Sequence, residues 1–247
     1  MSKRLDSEKK GQKEQDAQSI QPEVSFLSSQ VLIPTTILCS TFGLGFYVYR
    51  SYLRRIPNSH KIPQSFFRKR SLYGFVTSVG DADNFHFYHT PGGIIGGWGW
   101  LRHAPKVNSR GLKGQTIHVR LCGVDAPEAA HFGKPAQPYS AEALDWLRGY
   151  VLGRHVRVMP LVNDQYGRTV GQASLWKWNG RRNVSKEMLR QGWAVVYEAK
   201  QGAEFNGQEA AFRKLEQASK NRKIGMFRKG TKSLVTPGEY KKKYSNS

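Results

Sequence analysis

The feature that most constrains this chain is a stretch of 26 consecutive residues, Val24 to Tyr49, without a single charged side chain. Its apolar part, residues 28–49, matches the length of roughly 20 residues that one helix needs to cross a hydrocarbon core of ~30 Å. Pro34 lies inside it, and proline is tolerated in membrane helices. The sequence therefore predicts one transmembrane helix over residues 28–49. A mean hydropathy of −0.58 excludes a multi-pass membrane protein.

The charges on either side of this helix predict its orientation. Residues 1–23 hold five basic and five acidic side chains and are expected to form a polar disordered tail. Residues 50–70 hold seven basic side chains and no acidic one, so they form a basic juxtamembrane linker. The positive-inside rule then keeps the C-terminal bulk on the non-translocated side. The alternatives are a buried core helix and a cleaved signal peptide. A signal peptide is disfavoured because the positive charge follows the apolar run.

The total charge points to a polyanionic partner. The chain has 39 Lys and Arg against 18 Asp and Glu, which favours binding to nucleic acid or to an anionic lipid surface. Its two cysteines exclude a disulfide-stapled scaffold and a multi-cysteine zinc site. The folded domain is expected over residues 71–230. The basic C-terminal tail, residues 231–247, is expected to be frayed.

Period-two apolar patterns predict a mainly β domain. The expected strands cover residues 72–79, 85–89, 117–122, 155–162 and 169–176, with a short extended segment at 193–197. The expected helices begin near residues 140, 184 and 209. This count fits a small, partly open barrel with about three helices. A glycine- and tryptophan-rich insertion of about residues 90–114 separates the second and third strands, and we expect it to lie near the functional site and to shape substrate access.

Three groups of polar residues are candidates for the chemistry. They are the turn Asp81-Ala82-Asp83, the set Arg120, Asp125 and Glu128, and the turn Asp164-Gln165-Tyr166-Gly167-Arg168. Aspartates from different loops suit a hard divalent cation. A glutamate beside that cation can activate water, and Pro127 stiffens the turn that brings Glu128 towards Asp125. Arginine suits phosphate because its planar fork donates two hydrogen bonds and stays charged.

In this order and at this spacing, the three groups resemble the staphylococcal-nuclease (thermonuclease) family over about residues 75–227. The resemblance implies a five-stranded OB-fold barrel with three helices and a calcium-dependent phosphodiesterase acting on DNA and RNA. It implies the following roles: Arg120, Glu128 and Arg168 catalytic, Asp83 and Asp125 calcium ligands with the Ala126 carbonyl, Asp81 behind those ligands, and Tyr166 in contact with the nucleotide. One departure is the turn Asp-Ala-Asp, which is Asp-Gly-Asp in the family, so the alanine is expected to alter this loop.

The whole chain resembles the fungal membrane-anchored mitochondrial endonucleases of that family. This implies a single-pass protein of a mitochondrial membrane, whose partners are a nucleic acid substrate and the bilayer, with no obligate protein partner. The competing function is a non-catalytic OB-fold module that tethers nucleic acid to a membrane. Such a binder has no use for Asp83, Asp125 and Glu128, which repel phosphate in the absence of a cation. A third function, a lipid-surface anchor, explains residues 50–70 but not residues 120–168.

Overall fold

The computed structural model describes residues 28–130, 134–198, 204–230 and 234–245, in two separate units, Met1–Ser51 and Tyr52–Ser247. The polar tail predicted over residues 1–23 lies outside the described residues. Each unit is treated by itself below.

The described part of the first unit is one apolar helix, α1 (Ser29–Val48), followed by the start of a π-helical turn, Tyr49–Leu53, whose last two residues belong to the second unit. None of the residues of α1 is buried against other parts of the protein. Its threonine hydroxyls donate to carbonyl oxygens four residues earlier, for example from Thr35 at 2.7 Å, which satisfies these polar groups within the helix. Among the described residues, Ser29–Leu53 is the one helical segment long and apolar enough to cross a membrane.

The second unit is mainly β-sheet, as predicted. Its strands are β1 (Leu72–Asp81), β2 (Asn84–His89), β3 (Ile117–Leu121), β4 (Val124–Asp125), β5 (His155–Asn163), β6 (Thr169–Lys177), β7 (Gly180–Asn183) and β8 (Val195–Val196). Strands β4 and β8 form a separate two-stranded sheet. The other six form one sheet in the order β3-β2-β1-β5-β6-β7.

The pairings of five of these strands form a closed ring. All neighbours in the sheet order are antiparallel, and β3 pairs in addition with β6 in the parallel direction. In that parallel pair Val119 is opposite Thr169 and Leu121 is opposite Gly171. Strands β1, β2, β3, β6 and β5 therefore each have a partner on both sides, so they have no free edge.

Four α-helices are described in this unit, against the three predicted. They are α2 (Ser140–Val151), α3 (Val184–Arg190), α4 (Glu209–Asn221) and α5 (Pro237–Ser245). Helix α5 occupies the segment for which a frayed tail was expected. It forms because the Thr236 hydroxyl and backbone N–H both donate to the Glu239 carboxylate, at 2.9 and 2.8 Å, in a capping arrangement. Tyr240 is buried and its hydroxyl donates to the Pro135 carbonyl oxygen.

The core follows from the alternation of the strands and the apolar faces of the helices. Phe85 and Phe87 of β2 are fully buried and pack with Leu147 of α2 and Phe212 of α4 in one cluster. Gly123 joins β3 to β4 with a φ of +71°, and a Cβ atom there would lie 2.8 Å from the Phe212 ring. Only glycine meets both conditions, so this residue fixes where β4 begins.

The glycine-rich first half of the insertion, residues 91–102, follows the end of β2 and β3 that is remote from the Asp83 turn, so the expectation of a position near the site is wrong for this half. Further along, the Asn108 backbone N–H donates to the Thr77 carbonyl oxygen in β1 at 2.9 Å. Strand β2 begins at Asn84, beside Asp83, and ends at His89, after which the insertion starts. Strand β3 runs back antiparallel, and pairs Arg120 with Asn84. Six residues of β2 separate the two ends by about 17 Å. The extended length of β2, which lies between the turn and the insertion, is the physical reason for this separation.

Candidate active site

The turn between β1 and β2 supplies the first two carboxylates. Asp81 is paired with Asn84 across the turn, and its carboxylate accepts the backbone N–H of Ala82 at 2.8 Å. Asp83 is buried and accepts the side-chain amide of Asn84 at 3.1 Å. Ala82 is buried and has no positive φ. The turn therefore does not require the glycine that the family resemblance led us to expect.

Arg120 links this turn to β4. Its Nε atom lies 3.2 Å from Asp83 Oδ2 and its Nη2 atom 3.5 Å from Asp125 Oδ1. Both aspartates are buried. The Arg120 guanidinium also lies 4.8 Å from the ring centre of Tyr197. Arg120 thus occupies the space between two candidate metal ligands that come from different loops.

Glu128 is brought next to Asp125 by the segment that follows β4. The side chain of Gln137 accepts the Glu128 backbone N–H at 2.8 Å, and the Gln137 backbone N–H donates to the Glu128 carbonyl oxygen at 2.9 Å. These two bonds fix the backbone of Glu128 without engaging its carboxylate. Sequence reasoning did not identify Gln137, whose residue type has no chemical signature at this spacing.

Helix α5 adds a lysine that the sequence analysis did not predict at the site. The Lys241 Nζ atom lies 2.7 Å from Asp125 Oδ1 and 2.8 Å from Glu128 Oε1. Burial lowers the pKa of Lys241, but the two carboxylates outweigh it and raise the pKa, so the ammonium stays charged. Asp83, Asp125 and Glu128 are therefore brought together around two cationic side chains, Arg120 and Lys241.

The third predicted group lies in the turn between β5 and β6 and makes different contacts. Arg168 Nε donates to Asp164 Oδ2 at 2.7 Å, and the other Asp164 oxygen accepts the backbone N–H groups of Tyr166 and Arg168, each at 2.9 Å. Burial raises the pKa of Asp164, but these hydrogen bonds outweigh it and lower the pKa. Tyr166 is exposed, with the Arg168 guanidinium 5.2 Å from its ring centre. The Arg168 guanidinium is thus held by Asp164, whereas that of Arg120 contacts the candidate metal ligands.

Around the Asp81–Asp83 turn, the positive charges of Arg120 and Lys241 do not fully offset the negative charges of the neighbouring carboxylates. Burial, repulsion by Asp83 and repulsion by Glu128 raise the pKa of Asp81 to about 6, against the lowering effect of the Ala82 N–H and Lys241. Within the four described ranges, no group of three or more His, Cys, Asp or Glu side chains is arranged to hold a metal ion. A cation here would be bound by fewer protein carboxylates than three, completed by other oxygen donors.

Comparison with known proteins identifies the family of this chain. The family described as staphylococcal nuclease homologue matches residues 118–229. The chain is 55% identical over 215 residues to the probable endonuclease LCL3 of Yarrowia lipolytica, an alignment that covers 87% of this chain and 95% of that protein. It is 51% identical over 229 residues to the protein of the same name from Komagataella phaffii, covering 92% and 99%. The corresponding protein of Debaryomyces hansenii is 52% identical over 224 residues, covering 90% and 94%.

Proposed function

The chain belongs to the staphylococcal nuclease homologue family, and from that premise we propose that it is an endonuclease that hydrolyses phosphodiester bonds in DNA, RNA or both. The observation that carries the proposal is the meeting of Asp83, Asp125 and Glu128 around Arg120 at one end of the sheet. The closed ring of five strands is, in this proposal, the OB-fold barrel expected from the resemblance.

We propose Asp83 and Asp125 as ligands of a calcium ion, in agreement with the buried carboxylate oxygens and the raised pKa of Asp81 beside them. Oxygen donors of this kind fit a hard divalent cation. When bound, the ion neutralises charge on the scissile phosphate. Asp81 lies behind these ligands and adds negative charge without contacting the substrate.

Glu128 is the proposed general base. It takes a proton from the water that attacks phosphorus, the bond from phosphorus to the leaving oxygen breaks, and the leaving oxygen takes a proton from solvent. The backbone of Glu128 is fixed by Gln137, which favours a constant position for the carboxylate. Because Lys241 lies 2.8 Å from this carboxylate, the ammonium has to release or share it before Glu128 accepts a proton.

Arg120 and Arg168 are the proposed donors to the phosphate oxygens, on which negative charge increases in the transition state. Arg120 is oriented by Asp83 and Asp125, and Arg168 is oriented by Asp164. Tyr166 is exposed beside Arg168 and is proposed to contact the nucleotide. A strand of nucleic acid would then lie across the ends of β3 and β6, which are paired neighbours in the sheet.

The segment Ser29–Leu53 is the proposed single membrane span, with the nuclease unit on the positive, non-translocated side. Its support is its length and apolar composition, together with the seven basic side chains of residues 50–70. We further propose residence in a mitochondrial membrane, for which the support is the resemblance to membrane-anchored fungal endonucleases.

Hydrolysis of DNA and RNA by the full chain in detergent tests the proposal. We expect activity with Ca²⁺, none with EDTA, and a large loss in Glu128→Gln. The matched control is Glu142→Gln on α2, an exposed carboxylate that should be silent. Full activity in EDTA, or equal activity of the two variants, would exclude this mechanism. Retained nucleic acid binding without any hydrolysis would favour the tethering module instead.

A further inference from the structure

The loop of residues 91–102, called the apolar loop below, exposes large apolar side chains that the proposed hydrolysis does not use. The exposed fractions are 78% for Ile94, 95% for Ile95, 66% for Trp100 and 69% for Leu101. Four such side chains within eight residues form a concentrated apolar surface. Surfaces of this kind mark sites of contact with a membrane or a partner.

The apolar loop has a defined internal structure. Trp98 is buried, and its indole N–H donates to the Pro91 carbonyl oxygen at 3.1 Å. The Trp98 backbone N–H donates to the Gly93 carbonyl oxygen at 3.1 Å, and the Trp100 indole N–H donates to Ile94 at 2.9 Å. Because these polar groups are bonded within the loop, its apolar side chains are presented without unsatisfied indole donors.

The apolar loop lies against Leu53, which is the last residue of the proposed span Ser29–Leu53. A Cβ atom on Gly92 would lie 2.6 Å from Leu53 Cδ2, so the loop and this side chain are in direct contact. The Arg102 guanidinium donates to the Leu53 carbonyl oxygen at 3.4 Å. Chain continuity alone brings the end of a membrane span to the bilayer surface, so a loop that contacts Leu53 is within reach of the headgroups.

The charges around the apolar loop are complementary to anionic headgroups. Residues 90–116 contain no Asp or Glu and four basic side chains, Arg102, Lys106, Arg110 and Lys113. The linker, residues 50–70, adds seven more. Apolar side chains surrounded by cations are the composition that binds the interface of an anionic bilayer. The exposed indole of Trp100 is also typical of the headgroup level.

We propose that the apolar loop inserts into the headgroup region of the bilayer that holds the chain's own span, and thereby directs the active site away from that bilayer. The inference rests on the proposed single-span anchoring. The second part follows from the sheet, because Asp83 and Arg120 lie at the opposite end of β2 and β3, about 17 Å from the loop. A nucleic acid substrate would then approach on the side remote from the anionic headgroups.

The test uses the full chain with Cys39→Ser and Ile95→Cys, labelled with a polarity-sensitive maleimide fluorophore. The chain is reconstituted in vesicles of phosphatidylcholine and phosphatidylserine. Cys122 is buried, and burial raises the pKa of its thiol to about 12, so it does not compete for the label. The matched control carries the label at Trp178→Cys, a residue that is 97% exposed between β6 and β7.

We expect the label at residue 95 to be quenched several-fold more by nitroxide-bearing lipid, and several-fold less by aqueous iodide, than the label at residue 178. Ile94→Cys should repeat the result. Equal quenching by iodide at both positions overturns the proposal. Shielding from both quenchers also overturns it, because a protein partner then covers the loop. Carbonate extraction of the same vesicles distinguishes failure of the loop proposal from failure of the span proposal. If the chain resists extraction but the label is exposed to water, only insertion of the apolar loop is refuted. If carbonate extracts the chain, the membrane span is refuted, and the loop proposal with it.

Discussion

The two ends of the strand pair β2–β3 carry opposite charges. At the end with Asp83 and Arg120, four carboxylates, of Asp81, Asp83, Asp125 and Glu128, outnumber the two cations, Arg120 and Lys241. At the end where β2 meets the apolar loop, arginines surround a buried histidine. Burial and neighbouring carboxylates raise the pKa of Asp81 to about 6 at the first end. Burial and the charges of Arg55, Arg70 and Arg102 lower the pKa of His89 to about 3 at the second.

The pKa of Asp81 rises and the pKa of His89 falls for the same two physical reasons. In each case desolvation and like charges disfavour the ionised form of the side chain. An excess of negative charge suits a bound cation and, through it, a phosphate. An excess of positive charge suits phosphate groups directly. Under the two proposals above, one small domain serves two polyanions, a nucleic acid and a lipid surface, at separate ends.

The largest expected effect tests whether hydrolysis belongs to the carboxylate end alone. Arg120→Gln should lower kcat by ~100- to 1,000-fold, because a donor to the transition-state phosphate is lost. Arg120→Lys keeps the charge but loses the planar guanidinium, so its kcat should lie between that of Arg120→Gln and that of the parent chain. The measurement is steady-state hydrolysis with saturating Ca²⁺.

The matched control for this prediction is Arg157→Gln, an exposed arginine near the start of β5, at the loop end of the sheet. It should leave kcat within a few-fold of the parent. A similar loss in both arginine variants would mean that overall positive charge, not position, supports hydrolysis. The contrast between the two ends would then have no catalytic meaning.

An intermediate effect is expected from the lysine that the carboxylate end already holds. Lys241→Gln should increase the affinity for Ca²⁺ by roughly tenfold, because the ammonium no longer competes for the Asp125 and Glu128 oxygens. Calorimetric titration of the full chain in detergent measures this directly. Lys214→Gln, at an exposed lysine on α4, is the control and should bind Ca²⁺ as the parent does. Weaker binding in Lys241→Gln would instead identify Lys241 as a group that supports the site.

The same contrast explains which parts could be predicted from the sequence. Six of the eight strands, and the helices that begin at Ser140, Val184 and Glu209, follow from local periodicity and were predicted. Strands β4 and β7, of two and four residues, were missed because they are too short to show a period-two pattern. The carboxylates and arginines were selected because few chemistries use those residue types at such short spacing. Lys241 was missed because its contact with Asp125 joins residues 116 apart, and pairing over that distance depends on tertiary packing. The Thr236 to Glu239 spacing did, however, contain the signal of a capped helix.

The position of the insertion is a different kind of error. Its first half, residues 91–102, follows the end of β2 that is remote from the Asp83 turn, which the sequence analysis did not take into account. The Asp83 turn precedes β2 and the insertion follows it, so one strand length has to separate them. That conclusion needs only the chain order and the extended geometry of a strand. The fourth helix of the nuclease unit, in contrast, begins at a local cap, but its docking depends on contacts such as that of Tyr240 with Pro135, which local patterns do not encode.

The smallest expected effect concerns the cationic end and its buried histidine. His89 Nδ1 accepts the Ile56 backbone N–H at 3.0 Å, so the native imidazole is neutral. Its native pKa of about 3 lies below the ordinary 6.5 of an unfolded chain, so the unfolded state binds more protons as the pH falls through 6.5. The free energy of unfolding is therefore highest above pH 6.5, and His89 alone should lower it by about 0.7 kcal/mol between pH 7 and pH 6.

The test is urea unfolding of His89→Gln at these two pH values. Glutamine retains an acceptor for the Ile56 N–H, so this variant should not show the His89 part of the decrease in unfolding free energy. The control His60→Gln, at an exposed imidazole, should show the same decrease as the parent. If His89→Gln loses as much stability as the parent over this range, the arginines do not act on a buried neutral imidazole, and the electrostatic contrast between the two ends reduces to the carboxylate end.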